Sequence, residues 1–416
     1  MKEKIRKRYK RQGKQVIICN LMISLVFLFL CGWFYVMIYR QNTEPHSDST
    51  ETNTDAVLYS VEEQKNQLKG FQELRGLAFT GNSLEKEYGT IPIPGLKTTK
   101  TLITCSDKEK IYNTNGIFQD SDKNKQADIL NKDKETYTSK YEISICTSMT
   151  PQGICIAGNY LLISAYCHTN SHNSVIYVLN KNTHEYVKEI VVSGRQHVGG
   201  LAYDKMHGII WVSTNRGDRA TASGFSMRNL TEYDLERMKR PITYTFEYDL
   251  YTLEHDSFMT YADGYLYVGH FSNDGESVVQ KFRIAKGGGL KTKSGIELGI
   301  YKEIAIPETI FKIPEKTQGI AIYQDKVLLT RSYGLTKSEL LVHNYSNVLQ
   351  PPEHLVAVNE IMMPQKLQQI YIDGNNLYVL FESAAYAYRA QPMPKVDRVL
   401  KLDLHEVLQN RDDNIK

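Results

Sequence analysis

One pattern recurs along this chain and limits what it can fold into. It reads QGICIAGNYLLISAY at 152–166, GGLAYDKMHGIIWVSTN at 199–215, SFMTYADGYLYVGHF at 257–271, QGIAIYQDKVLLTRSY at 318–333 and QQIYIDGNNLYVLFES at 368–383. Each copy is a short apolar strand, a tight turn rich in Gly, Asn or Asp, and a second apolar strand ending in polar residues. The starts lie 47, 58, 61 and 50 residues apart. Self-similarity at such spacing, built from antiparallel strands, marks propeller blades. The expected fold is therefore all-β, a five-bladed β-propeller over 141–416.

The first copy extends into four strands, GICIA, YLLISAY, SVIYVLN and EYVKEIVVS. Blade two is expected to carry an insertion at 216–240, whose NLTEYDLERMKR reads as a short helix. KGGG at 286–289 is a loop, since no strand-to-helix context makes it a phosphate cradle, and Pro351–Pro352 interrupts blade four. The last copy stops one strand short. YEISICTS at 141–148 has strand character and is expected to supply that outer strand, so that no sheet edge stays open. A sixth blade from 57–107 is the alternative.

Ahead of the repeats lies a different chemistry. Residues 1–15 are basic, the first fourteen holding eight Lys/Arg and one Glu. Residues 16–39, VIICNLMISLVFLFLCGWFYVMIY, contain no charge over 24 positions, enough to span a bilayer as a tilted helix. A basic flank before the run and a polar, acidic one after it place the N-terminus in the cytoplasm and the rest outside. A cleaved signal peptide would have a shorter core, so an uncleaved anchor is the reading adopted. The expected localisation is a single-pass cell-membrane protein with an extracellular C-terminal domain. Residues 40–56 read as a solvated stalk. Within 57–140, apolar residues at 57, 58, 61, 68, 71, 74 and 77 fit a helical stripe, 90–105 reads as an extended segment, and the remainder as a polar surface insertion. DSDKNKQAD at 120–128 alternates oxygen ligands as a calcium loop does, but Lys125 and Asn131 stand where Gly and Glu are needed. Beyond residue 14 the chain carries 42 basic and 46 acidic residues, which offers nucleic acid no basic footprint.

Cys19 and Cys31 fall in the apolar run, and Cys105, Cys146, Cys155 and Cys167 beyond it. One or two disulfides are compatible with that even number, Cys146–Cys155 among them, as are buried thiols. Asn229 and Asn344 head glycosylation sequons.

Equivalent strand ends of all blades gather at one mouth of a propeller channel. The expected ligand-binding ring is Tyr166 and His168, Asn215 and Arg216, His270, Arg331 and Tyr333, and Glu382 beside Ser383. Gln152, His197, Gln318 and Gln368 form a second, channel-lining ring. Among these, His270, Arg331 and Glu382 would be the catalytic set were the protein an enzyme. No cofactor is assigned. A divalent ion on His270, Glu382 and Asn215, or on Cys167, His168 and His172, is the alternative. No G-x-S-x-G, H-E-x-x-H, C-x-x-C or Walker motif is present.

Two resemblances follow from these residues. TPQGICIAGNYLLISAY, HVGGLAYD, GYLYVGHF, TQGIAI with RSYG, and LYVLFESAAYAYR with VDRVLKLDL resemble bacterial membrane-anchored or secreted β-propeller proteins of uncharacterised function. TQGIAIYQDKVLLTRSYGLTKSEL is similar to a signature of glutaminyl cyclotransferases, five-bladed propellers that cyclise N-terminal glutamine through a central Glu. That resemblance implies Gln318 as a channel glutamine and Glu382 as acid/base, although the family's several pocket Trp have only Trp211 as a counterpart beyond the apolar run that holds Trp33. The functional expectation is a binding or scaffolding module at the cell surface for an extracytoplasmic protein, peptide or glycan. An enzyme at the channel mouth, of cyclotransferase or metal-dependent hydrolase or lactonase type, is the alternative.

Overall fold

A computed structural model describes residues 58–71, 74, 91–104, 141–216, 219–275, 277–297, 300–349 and 355–409. The membrane-span reading of 16–39, the stalk, Cys105 and the calcium-loop reading of 120–128 fall outside these residues. Among those described, no helix is long and apolar enough to cross a membrane.

Within the helical stripe after residue 57, the described residues form a short helix, α1 (Val61–Gln67), and Leu74 is again helical. Its start is a capping box, with the Ser60 side chain receiving the Glu63 N–H and the Glu63 carboxylate receiving the Ser60 N–H. Next come β1 (Thr99–Thr104) and β2 (Tyr141–Cys146), which pair only with each other as a two-stranded sheet. Four further sheets have four strands and one has three. Blade one is β3 (Met149–Ala157), β4 (Tyr160–Cys167), β5 (Val175–Asn180) and β6 (Tyr186–Val191). Blade two is β7 (Leu201–Asp204), β8 (Ile209–Arg216), β9 (Arg219–Ser226) and β10 (Phe246–Asp249). Blade three is β11 (Phe258–Ala262), β12 (Tyr265–His270), β13 (Ser277–Arg283) and β16 (Thr309–Ile313), with the hairpin β14 (Thr292–Glu297) and β15 (Ile300–Ala305) inserted before its last strand. Blade four is β17 (Thr317–Tyr323), β18 (Lys326–Arg331), β19 (Ser338–Asn344) and β20 (Asn359–Met363). Blade five is β21 (Leu367–Asp373), β22 (Asn376–Phe381) and β23 (Leu400–Asp403). The inner strands β3, β7, β11, β17 and β21 pack each against the next, and β21 returns to β3, so five blades close a ring.

The repeat is legible in the bonding. In blades one, four and five the inner strand has a register shift, between Pro151 and Gly153, Thr317 and Gly319, and Leu367 and Ile370. Gln152, Gln318 and the pair Gln368–Gln369 are the residues left out of register. A bulge re-aims its side chain, here towards the axis. Glycine beside the bulge permits close approach of neighbouring blades: a Cβ on Gly319 would stand 2.8 Å from the Gln369 Cα. Gln369, fully buried, fastens the centre. Its Oε1 accepts the N–H groups of Ile154 (3.1 Å) and Leu201 (3.2 Å), and its Nε2 donates to the carbonyls of Leu201 (2.9 Å) and Met259 (2.5 Å). One side-chain amide thereby joins blade five to blades one, two and three.

Two sequence expectations are corrected. Residues 219–226, read as part of an insertion, are strand β9, the third of blade two. Their small side chains suit that place, since Gly224 lies under the Trp211 ring, where a Cβ would meet Cε3 at 3.1 Å. The insertion proper is reduced to two short helices, α2 (Met227–Glu232) and α3 (Leu235–Met238).

Residues 141–148 do not complete blade five either, because β2 pairs with β1. The outer edge of blade five is instead met by 91–93. Val399 N–H donates to the Ile91 carbonyl (3.0 Å), and Ile93 N–H to the Asp397 carbonyl (3.1 Å), about a bridge between Pro92 and Arg398. Proline, lacking an N–H, suits an edge position. α1 adds to this closure, the buried Gln64 amide donating to the Lys395 carbonyl (2.9 Å) and accepting the Asp397 N–H (3.2 Å).

Candidate functional site

At one end of the ring lies a cavity of about 850 Å³. The bulged glutamines Gln152, Gln318 and Gln368 and the loop residue His197 form part of its wall. The second-strand ends contribute Tyr166, Asn215, Tyr333 and Glu382. All five blades reach it, blade three through Ser257 and Phe271.

Glu382 is the chemical centre. It follows β22 and is only 6% exposed. Its backbone N–H donates to the Lys366 carbonyl (3.0 Å), which fixes the loop before β21 beside it. Lys366 adopts a left-handed backbone (φ 66°), and its ammonium stands 3.5 Å from Glu382 Oε1 and 3.9 Å from the centre of the Tyr388 ring. Gln152 Nε2 donates to Glu382 Oε2 at 2.7 Å. Burial raises the Glu382 pKa, while Lys366, the Gln152 bond and a bond with Tyr388 oppose it. A carboxyl so placed keeps its proton into a higher pH range than a surface glutamate.

An aromatic wall flanks that carboxyl. Tyr166 stacks on His197 with ring centres 3.9 Å apart, and His168 sits edge-on to Tyr388 at 5.6 Å. Burial pushes the Tyr166 phenol up to about 12, helped by the nearby Glu382 charge. Burial lowers both His168 and His197 from 6.5. These imidazoles are thus neutral hydrogen-bonding groups at pH 7. On the opposite side Asp256 accepts the Thr214 N–H at 3.1 Å, and burial raises its pKa well above 3.8. The mouth thus holds two carboxyls whose protonation burial favours.

The sequence-derived rings divide. Gln152, His197, Gln318, Gln368, Tyr166, Asn215, Tyr333 and Glu382 share the cavity wall. His168 stands behind it, its Nδ1 3.2 Å from the Tyr166 hydroxyl. Arg216 ends β8 opposite Arg219 in the hairpin register. His270 and Arg331 do not join Glu382. The His270 Nε2 lies 3.9 Å from Glu254, and the Arg331 guanidinium is held by Glu339 (2.9 Å) and Glu315 (3.4 Å). A long guanidinium at a strand end reaches the nearest acidic neighbours on its own blade.

Sequence reasoning missed Lys366, Asp256, His255 and Tyr388, all of which line the cavity, Tyr388 from a 3-10 turn at Tyr386–Tyr388 and the others from loops ahead of inner strands. One signal for Lys366 was present. Lysine stands two residues before the bulged glutamine in two copies, Lys316 before Gln318 and Lys366 before Gln368, both with positive φ.

No family profile matches the chain, and no curated protein matches it. Among solved structures it is similar to hydrazine synthase of Kuenenia stuttgartiensis, at 11% identity and a TM-score of 0.29, over 60% of this chain and 58% of that one. The chain thus spans less than two thirds of that protein's length. It is also similar to a chain of a nidogen/laminin complex, at 12% identity and a TM-score of 0.31, over 58% of this chain and 76% of that one. Likeness at this level assigns no activity; the five-bladed ring rests on the strand pairing itself.

Proposed function

We propose that the chain is a binding module whose channel mouth takes a small polar ligand, such as a peptide end or a sugar. The observation that carries this reading is the Gln152–Glu382–Lys366 group at the cavity wall, ringed by Tyr166, His197 and Tyr388. A cavity of this size falls in the ordinary range for small-molecule sites, where apolar walls and a few convergent polar groups fix orientation. The glutamine amides and neutral imidazoles offer both donors and acceptors, and the tyrosine rings offer flat faces for a sugar or planar amide. The uncharged run at 16–39 supports a bilayer tether that would present this mouth outside the cell. Calorimetric titration against short peptides and oligosaccharides tests the reading: one ligand per chain is expected, with affinity lost on Glu382→Gln.

A second reading, general acid–base catalysis of the glutaminyl-cyclotransferase type, is favoured by the raised pKa of Glu382. A carboxyl poised nearer neutrality can take and return a proton. Peptides beginning with glutamine would then be cyclised, with turnover abolished by Glu382→Gln while binding persists. Absence of turnover on such peptides would discard this reading and leave the first intact.

A further inference from the structure

Where β2 meets blade one, one residue beyond the mouth's Tyr166, the structure gathers Cys146, Cys167 and His172. Their ligand atoms all lie within 4.8 Å of one another, the one such grouping of three among the described residues. Cys146 ends β2, Cys167 ends β4, and His172 lies in the turn leading to β5. Both sulfurs are buried, each residue being 1% exposed. The His172 Nδ1 lies 3.4 Å from Cys167 Sγ, and its other ring nitrogen is 3.2 Å from Ser144 Oγ. Such an outer partner is what orients a ligating histidine. Two hydroxyls complete the surroundings, Thr169 Oγ1 at 3.1 Å and Ser148 Oγ at 3.6 Å from Cys167 Sγ.

We propose that Cys146, Cys167 and His172 form a zinc site that clasps the β1–β2 sheet to blade one. Two thiols and an imidazole are the donor set that zinc prefers, with metal–sulfur and metal–nitrogen bonds of about 2.3 and 2.0 Å that bring such ligands together. Water or the Ser148 or Thr169 hydroxyl would take the fourth position. The set differs from the Cys167–His168–His172 grouping suggested by sequence spacing. His168 faces Tyr166, and Cys146 comes from a strand 21 positions earlier than Cys167.

The test is titration of the reduced full-length chain with Zn²⁺ against a competing chromophoric chelator, followed by Co²⁺ substitution. One zinc per chain is expected, with a thiolate-to-cobalt charge-transfer band. Cys167→Ser should abolish both, and Ser144→Ala should weaken zinc about tenfold by freeing the imidazole. Cys155→Ser, whose thiol lies outside the group, should leave binding unchanged. His172→Gln, a turn substitution that spares the strands, should lose affinity at unchanged circular dichroism. The proposal is overturned if the reduced chain takes up no zinc, or if uptake survives Cys167→Ser and His172→Gln. It is equally overturned if the chain as isolated carries a Cys146–Cys167 disulfide, recognised by mass after alkylation.

Discussion

Gln152 donates to Glu382 at 2.7 Å across 230 residues of sequence, at the seam where the first blade meets the last. The bond joins the two features that make the mouth chemical. One is a bulge that turns a glutamine out of register, and the other is a carboxylate placed where the next strand ends. Ring closure and site assembly are therefore one event, and the site exists only in the closed ring.

Glu382→Gln keeps the side chain's size while removing its ionisable carboxyl. A lost hydrogen bond to a charged group costs about 1.5–3 kcal/mol, so ligand affinity should fall about tenfold to a hundredfold. Circular dichroism should stay close to the parent. Isothermal titration checks this, and unchanged affinity would move the ligand away from the mouth.

Glu189 on β6 gives a pH-dependent stability with a defined window. Burial pushes its carboxyl up from 4.5 to about 7. The folded state therefore holds this proton more tightly than the unfolded state does. The associated stability is complete below about 4.5 and is lost as pH rises through about 7. Glu382 and Asp256 act with the same sign. Urea midpoints of the wild type and Glu189→Gln should nearly coincide at the acid end, with the variant gaining as pH rises. A difference independent of pH would contradict this.

Gln369→Leu should be among the most damaging single changes. It strips partners from the buried N–H groups of Ile154 and Leu201 and from the carbonyls of Leu201 and Met259. A buried unsatisfied group costs about 1–3 kcal/mol, so a loss of about 3 kcal/mol or more is expected. Gln368→Ala removes a wall residue that makes no such bonds across the axis and should cost far less. Chemical denaturation of the pair decides the matter.

Asp397→Ala should loosen the closure without touching the mouth. Asp397 Oδ2 receives the N–H groups of Leu58 (2.7 Å) and Tyr59 (2.8 Å), and Oδ1 pairs with buried Arg398 at 2.9 Å. Removing one partner of a buried pair typically costs about 3–5 kcal/mol. Limited proteolysis should then cut within 58–71 well before the blades. Resistance equal to that of the parent would mean that the N-terminal segment is held by other contacts.

Local signals explain what was readable beforehand. The inner two strands of each blade are close in sequence and joined by tight turns, so alternation and Gly/Asp placement reveal them. The axial glutamines carry their own signal, a polar residue opening an apolar strand. Closure left no comparable trace. Its partner for blade five is Pro92, 306 residues from Arg398, in a segment whose prolines argue only for extension. Asp256 and Tyr388 were hidden for a related reason, since one sits in a loop and the other in a short 3-10 turn that the repeat does not govern. Arg331 shows the converse. A repeat position predicts where a strand ends, while nearby Glu315 and Glu339 decide where a long side chain turns.

The most direct test of the mouth is a crystallographic screen of the protein against short peptides and sugars. The expected result is ligand density in the cavity within hydrogen-bonding distance of Glu382 and Gln152, against the rings of Tyr166 or Tyr388. Ligands bound only elsewhere, with Glu382 still sealed by Gln152 and Lys366, would contradict it.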